Sequence, residues 1–317
     1  MRGLFAIFAL AVFRALAFDS AEWMGKRAVL SQEAQRLRDA CAEFRALADE
    51  PAEDISVPIE CRDDGSVKTA ISAKRAQFFL DRGYVWGEGV KVLQYGENGD
   101  IEAEIECREC LIDRDTKSGW AEGEVEAVYR KNRLKGRGVY FSFAEEYAII
   151  TSNLEMSAED LKFKGTGNTE NGQTRAATVA ADRADYDRAE GVMMFDGKVR
   201  LDESEILAAA DRVFVFLDGT NSVRRIVAHG NVSLTNGTRS GSCDRVSYRK
   251  DDGKIEMFGS VGRRARLVDG GNRQSELEGG RIALWIDSEQ VEVADAEITI
   301  RGSGFGGENG LKGIFGQ

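Results

Sequence analysis

Between Asp182 and Ile300 the chain repeats one short phrase: a small or acidic residue, an arginine, then two apolar residues flanking one variable position. Copies stand at Asp182-Arg183-Ala184-Asp185-Tyr186, Asp211-Arg212-Val213-Phe214-Val215, Asp244-Arg245-Val246-Ser247-Tyr248 and Gly280-Arg281-Ile282-Ala283-Leu284. A second phrase falls between them, at Gly197-Lys198-Val199-Arg200-Leu201, Gly230-Asn231-Val232-Ser233-Leu234 and, less cleanly, Gly259-Ser260-Val261. Each recurs roughly every 30 residues, and two interleaved strand-like phrases at that spacing predict a stacked or rolled sheet. Alternation with period two turns one set of side chains inward. It sends Val213, Val215, Val246, Tyr248, Ile282 and Leu284 to one interior and leaves Asp185, Phe214, Ser247 and Ala283 as the variable outer set. With Val199, Leu201, Val232 and Leu234 from the second phrase, these make ten candidate groove-lining residues. An ordinary sandwich core with nothing inside has the same pattern.

Long ladders require few prolines, because proline cannot donate to a sheet. The chain has two, Pro51 and Pro58, both ahead of the first strand-like run. Hairpin turns are signalled at Asp63-Asp64-Gly65, Asn98-Gly99 and Asp251-Asp252-Gly253. The net charge of −11 disfavours nucleic acid and anionic membrane surfaces as partners. A single histidine, His229, excludes a histidine metal pair, and its place before Gly230 at the start of a strand suits a solvent-facing role.

Residues 1–17 have the layout of a secretory signal peptide: Arg2, an apolar run from Leu4 to Phe13, and Ala15-Leu16-Ala17 before the expected cleavage. That run is half the ~20 residues a spanning helix needs, so export with removal is expected over a permanent anchor. Residues 18–51 form an amphipathic helix whose stripe is Leu30, Ala34, Leu37, Cys41, Phe44 and Ala48, ended by Pro51 and laid against the first sheet or across its open end. Strands follow at Val67–Ile71, Gln77–Leu80, Gly89–Leu93, Ile101–Cys107, Glu124–Tyr129, Gly138–Phe143 and Tyr147–Ser152. The polar run from Gly165 to Gly172 marks a boundary between a domain at 52–165 and one at 172–301, with 302–317 a flexible glycine-rich tail.

The first half carries Asp64-Gly65-Ser66, Ala73-Lys74-Arg75-Ala76, Gly87-Glu88-Gly89-Val90, Leu134-Lys135-Gly136-Arg137-Gly138-Val139 and Ile149-Ile150-Thr151-Ser152-Asn153. In these it resembles the LptC component of bacterial lipopolysaccharide export. The second half, with its repeated Gly-x-Val-x-Leu and Asp-Arg phrases, resembles the LptA or OstA-type bridge component. The resemblance implies an all-β chain of two consecutive rolled β-jellyroll domains in the periplasm. It also implies an apolar interior holding the acyl chains of lipid A, no catalysis and no cofactor. Implied partners are lipopolysaccharide, other jellyroll proteins of the pathway joined by edge-strand pairing, an inner-membrane ABC exporter and an outer-membrane translocon. Candidate edges are the first strand after Pro58 and the last, 296–301.

Other motifs fit poorly. In a regular strand Cys107 and Cys110 point to opposite faces, and no further zinc ligands stand nearby; in an oxidising compartment a disulfide among Cys61, Cys107 and Cys110 remains open. The pattern Gly302-x-Gly304-x-x-Gly307 has no helix to follow it. Asp113-x-Asp115 reads as a turn rather than a calcium loop, since Lys117 and Ser118 occupy positions needing an oxygen ligand and a glycine. Two rival functions stand: a structural or adhesive repeat protein with a dry core, and a β-helical polysaccharide-active enzyme, which predicts a carboxylate or basic cluster on one exposed face.

Overall fold

The computed structural model describes residues 20–129, 131–159, 176–203, 206–218, 222–270, 275–285, 290–295 and 297–300. The expected signal peptide, the 165–172 boundary and the tail from 302 lie outside them. One helix, α1 (Ser20–Leu47), precedes β1 (Ala52–Cys61), β2 (Val67–Phe79), β3 (Tyr84–Tyr95), β4 (Ile101–Asp113), β5 (Ser118–Tyr129), β6 (Asn132–Ser142) and β7 (Tyr147–Glu159). Then come β8 (Ala176–Ala181), β9 (Arg183–Asp187), β10 (Val192–Glu203), β11 (Ile206–Asp218), β12 (Ser222–Asn236) and β13 (Arg239–Arg249). The chain continues through β14 (Lys254–Phe258), β15 (Ala265–Asp269), β16 (Ser275–Gly279), β17 (Arg281–Trp285), β18 (Gln290–Ala294) and β19 (Glu297–Ile300). The fold is all-β with antiparallel pairing, and the described residues fall into two compact units, one mainly from 20–157 and 181–193, the other mainly from 194–217 and 223–300.

In the first unit β1 to β7 pair in sequence order, and β9 joins β7 with Ala148 opposite Tyr186. The strands are longer than the sequence pattern suggests: Val67–Ile71 and Gln77–Leu80 merge into one β2. Pro58 lies inside β1, opposite Ala70, rather than ahead of the first strand. The register shifts between Pro58 and Glu60, the kind of irregularity that accommodates a residue without an N–H.

Halfway along, the sheet bends. Gly89 in β3 has φ +61°, a conformation glycine adopts without a Cβ penalty, and a register shift of β4 against β5 lies between Cys107 and Glu109. The bend changes which parity faces inward. Cys107 and Cys110 therefore join one apolar cluster with Val90, Phe141, Ile71 and Ile112, instead of parting to opposite faces. All five cysteines are free thiols.

The helix packs on β3, β4 and β5. Its buried stripe is Leu30, Ala34, Leu37, Cys41 and Phe44, as the 3–4 spacing predicts, extended at the N-terminal end by Trp23; the helix stops at Leu47, and Ala48, expected on the stripe, lies half-buried beyond it. Phe44 meets Phe79 and Tyr84 at ring-centroid distances of 4.8 and 4.5 Å. Basic residues beside the stripe reach carboxylates that the strands bury: Lys26 to Asp187 (3.1 Å), Arg27 to Asp185 (3.1 Å), Arg36 to Asp113 (2.8 Å) and Arg45 to Glu109 (3.0 Å). Asp185 and Asp187 are fully buried. Tyr147 donates to Asp185 at 3.3 Å, and Trp86 donates its indole N–H to Glu109 at 2.7 Å. Burial, then the nearby Asp185 and Asp187, pushes the Tyr147 hydroxyl well above its ordinary pKa, so it stays a donor. Asp113 also accepts the backbone N–H groups of Asp115 and Thr116, which makes this stretch a turn.

Candidate functional site

The second unit is organised by β13, because its two halves pair with different strands. Residues 245–249 pair with β14, whereas 239–242 pair with β15. From β14 the ladder continues to β17 and β18; from β15 it continues to β16 and β19. The sheet thus forks near Cys243, and β12 runs beside both halves of β13.

Registers place the inward side chains in rows, because residues directly opposite in antiparallel strands share a face. On the first arm the row nearer the fork is Ala228, Val246, Met257, Ile282 and Val293, in β12, β13, β14, β17 and β18. The next row out is Ile226, Tyr248, Ile255, Leu284 and Val291. On the second arm Leu234, Gly241, Leu267 and Leu277 line up across β12, β13, β15 and β16. Side chains from both arms pack into one apolar cluster that includes Cys243, Met257, Ala265, Leu277 and Ile282.

Burial grades along this cluster. Cys243, Ala265 and Ile282 are 0% exposed and Met257 is 1% exposed, whereas Ile255, Leu267, Leu284 and Val291 are only half-buried. On β14, β15 and β17 the face thus forms a shallow wedge that opens away from the fork, whereas on β13 the outer Tyr248 is buried and on β16 the face stays buried out to Ser275. At the apex the facing arms touch closely: a Cβ on Gly241 would lie 2.9 Å from Met257 Cε.

Of the ten residues singled out from the sequence, Val213, Val232, Val246, Ile282 and Leu284 are brought together in this cluster. Tyr248 stands in the outer row between Ile226 and Ile255. Leu234 faces Gly241, and Leu201 pairs with Val179 of β8. Val199 is buried and Val215 half-buried, both outside the cluster. The period-two reading missed Met257, Ile255, Leu267, Leu277, Val291 and Val293, which lie on short strands carrying neither phrase. Their signal is the alternation of Lys254-Ile255-Glu256-Met257 and Gln290-Val291-Glu292-Val293.

Three expectations are corrected. The middle positions of the first phrase are not free to face water: Asp185, Ser247 and Ala283 are buried. For Asp185 the cause is the helix. For Ser247 and Ala283 it is Glu256, which stands opposite both and is gripped by Lys254 at 3.0 Å and Arg281 at 2.8 Å, whose aliphatic stems cover the sheet. The third copy of the second phrase is a turn tip, with Ser260 bridging to Arg263 and Val261 fully exposed. His229 is exposed as expected but lies inside β12, at the shift in register between His229 and Val232, rather than at a strand start. Partial burial of its ring, then Arg245 and Arg212, lowers its pKa and favours the neutral form.

Burial works to raise the Glu256 pKa, but hydrogen bonds from Lys254 and Arg281 outweigh it and hold the carboxyl below the usual range. The outer face is thus ionic and the inner face apolar. Among the described residues no group of three or more His, Cys, Asp or Glu is arranged to hold a metal ion. No described helix is long and apolar enough to cross a membrane.

Among curated proteins, none matches this chain. Among solved structures, the chain is similar to LptH of Pseudomonas aeruginosa, described as the LptA-homologous periplasmic component of the lipopolysaccharide transport device. The identity is 14%, covering 40% of this chain and 95% of that one, with a TM-score of 0.35. Residues 178–290, which supply most of the wedge, match the family described as LptA/(LptD N-terminal domain) LPS transport protein.

Proposed function

We propose that this is a periplasmic carrier of lipopolysaccharide in which the wedge of the second unit shelters lipid A acyl chains, without catalysis. One observation carries the reading: the stretch with the transport-family match is the stretch that forms an apolar wedge with a half-buried mouth. Each methylene taken from water contributes about 0.8 kcal/mol, so burying even part of a chain offsets the cost of ordering it. The ionic outer face leaves a phosphorylated headgroup in water. On this reading the chain divides into an LptC-like domain at 52–165 and an LptA-like domain at 172–301, with β9 of the latter range paired onto β7 of the first unit, and exposed strand edges join neighbouring jellyroll proteins toward an inner-membrane exporter and an outer-membrane translocon.

The test is a photo-crosslinking amino acid at Leu284, at the mouth, and another at Val261, at the exposed turn. After irradiation in the native envelope, lipid mass spectrometry should find a lipid A adduct at 284 and none at 261. Equal labelling, or none at either, would leave the dry-core repeat protein as the better description.

A further inference from the structure

The apex of the wedge is closed by a side chain that can move. Met257 is on β14 of the first arm, and its thioether ends against Gly241, in the half of β13 that pairs with the second arm. Gly241 is buried, and a Cβ there would lie 2.9 Å from Met257 Cε and 3.5 Å from Sδ. The space a side chain at 241 would fill is therefore taken by the methionine tip. Around it stand groups that cannot swing away: Cys243 and Ala265 are short and fully enclosed, and Ile282, beside Met257 in the same row, is β-branched and fully buried. Methionine, unbranched with three rotatable side-chain bonds, is the adaptable element of the apex. From it the face runs outward through the half-buried Ile255, Leu284 and Val291.

We propose that Met257 is the depth stop of the trough, its thioether against Gly241 setting how far a saturated acyl chain penetrates toward the fork. This rests on the acyl-carrier reading and adds to it a chain-length limit fixed by one residue pair. An acyl chain lying on the outer row meets the methionine tip before it can reach Cys243. Shortening residue 257 lengthens the path by roughly the three heavy atoms beyond Cβ, and filling position 241 pushes the tip outward and shortens it.

The experiment uses the full chain and a series of straight saturated fatty acids from eight to eighteen carbons, each displacing a fluorescent fatty-acid probe. In the natural protein, affinity should rise about fourfold per added methylene, the equivalent of ~0.8 kcal/mol, and then level off. In Met257→Ala the plateau should move two to three carbons longer, with little change for the shortest chains. In Gly241→Ala, where the added methyl meets only the end of a flexible side chain, it should move shorter by one or two. The second variant keeps the proposal exposed to refutation if the first does not fold. If the natural protein shows the rise and plateau but neither folded variant moves it, the stop is wrong while the carrier reading survives. If the natural protein binds no chain of any length, both fall together.

Discussion

Ile282 and Leu284 are two residues apart on β17 and share a face, yet the wedge gives them different energetic roles. Ile282 is 0% exposed between Met257 and Val293. Truncation to alanine there leaves a void that the fully enclosed Ala265 and Cys243 cannot fill, and such changes cost about 2–5 kcal/mol. Met257 can relax into part of the space, which points to the middle of that span, about 3 kcal/mol. Leu284 loses a similar number of carbons, worth ~2.4 kcal/mol at about 0.8 per methylene if fully buried. It is only half-buried at the mouth, so water enters and no cavity term arises; the expected loss is about 1 kcal/mol. Urea unfolding of the two variants, followed by circular dichroism, reads the difference directly. Acyl binding should reverse the order, with Leu284→Ala losing more affinity than stability. Equal stability losses at both positions would mean that the arms are as tightly closed at the outer row as at the inner one, and the wedge description would be wrong.

Replacing Asp185 by Asn removes the charge that Arg27 and Arg183 share with Tyr147 in a fully buried site, and breaking a buried pair costs about 3–5 kcal/mol; a thermal melt of the first unit's near-UV signal should fall by several degrees, and an unchanged melt would argue that the helix is held by its apolar stripe alone. Glu256 has a depressed folded pKa, so its contribution is present above the ordinary carboxylate value and lost as pH falls through the folded value. Stability of the natural protein should therefore drop more steeply below about pH 4.5 than that of Glu256→Gln, and parallel pH profiles would count against the Lys254 and Arg281 clamp. Thiol labelling of the native chain should modify exposed Cys61 first and half-buried Cys107 next. Cys243, its pKa pushed up to about 11 mainly by burial, and the buried Cys41 and Cys110 should resist until unfolding, and early labelling of Cys110 would contradict the enclosed cluster around it.

How far the fold could be read in advance depended on whether a residue's partners were local. The helix stripe follows from 3–4 spacing alone, and Leu30 through Phe44 are buried as that spacing requires. Val246, Ile282 and Leu284 fall on one inner face because strand parity is a two-residue property. Met257 and Leu277 stayed hidden: they lie on five-residue strands whose place is set by the fork in β13, a long-range pairing with no local signature. The ion pairs from Lys26 and Arg27 to Asp187 and Asp185 were equally unreadable, since each joins residues more than 150 positions apart.

The two cysteines of the first unit show why parity works within a sheet segment and fails across a bend. A parity argument assumes that every residue between two positions is extended, each turning the side chain by half a rotation. Gly89 at φ +61° stands beside Arg108 in the ladder, and β5 carries an extra residue between its pairings with Cys107 and Glu109, so the assumption breaks there. The same break recurs where Gly197 and Gly230 open the second phrase at φ +81° and +74°. That phrase therefore marks sites where a strand changes the direction in which it presents its side chains, while the Asp-Arg phrase marks straight segments that carry a face unchanged. Val213, Val246, Ile282 and Leu284 of the straight phrase meet in the wedge together with Val232, which follows the bend at Gly230, whereas Val199 and Leu201, past the bend at Gly197, and Val215 of the straight phrase do not. A repeat read as two kinds of strand is better understood as one kind of strand and the bends between its halves, and a chain built from long strands that bend can present an inner wall from short stretches of many strands at once.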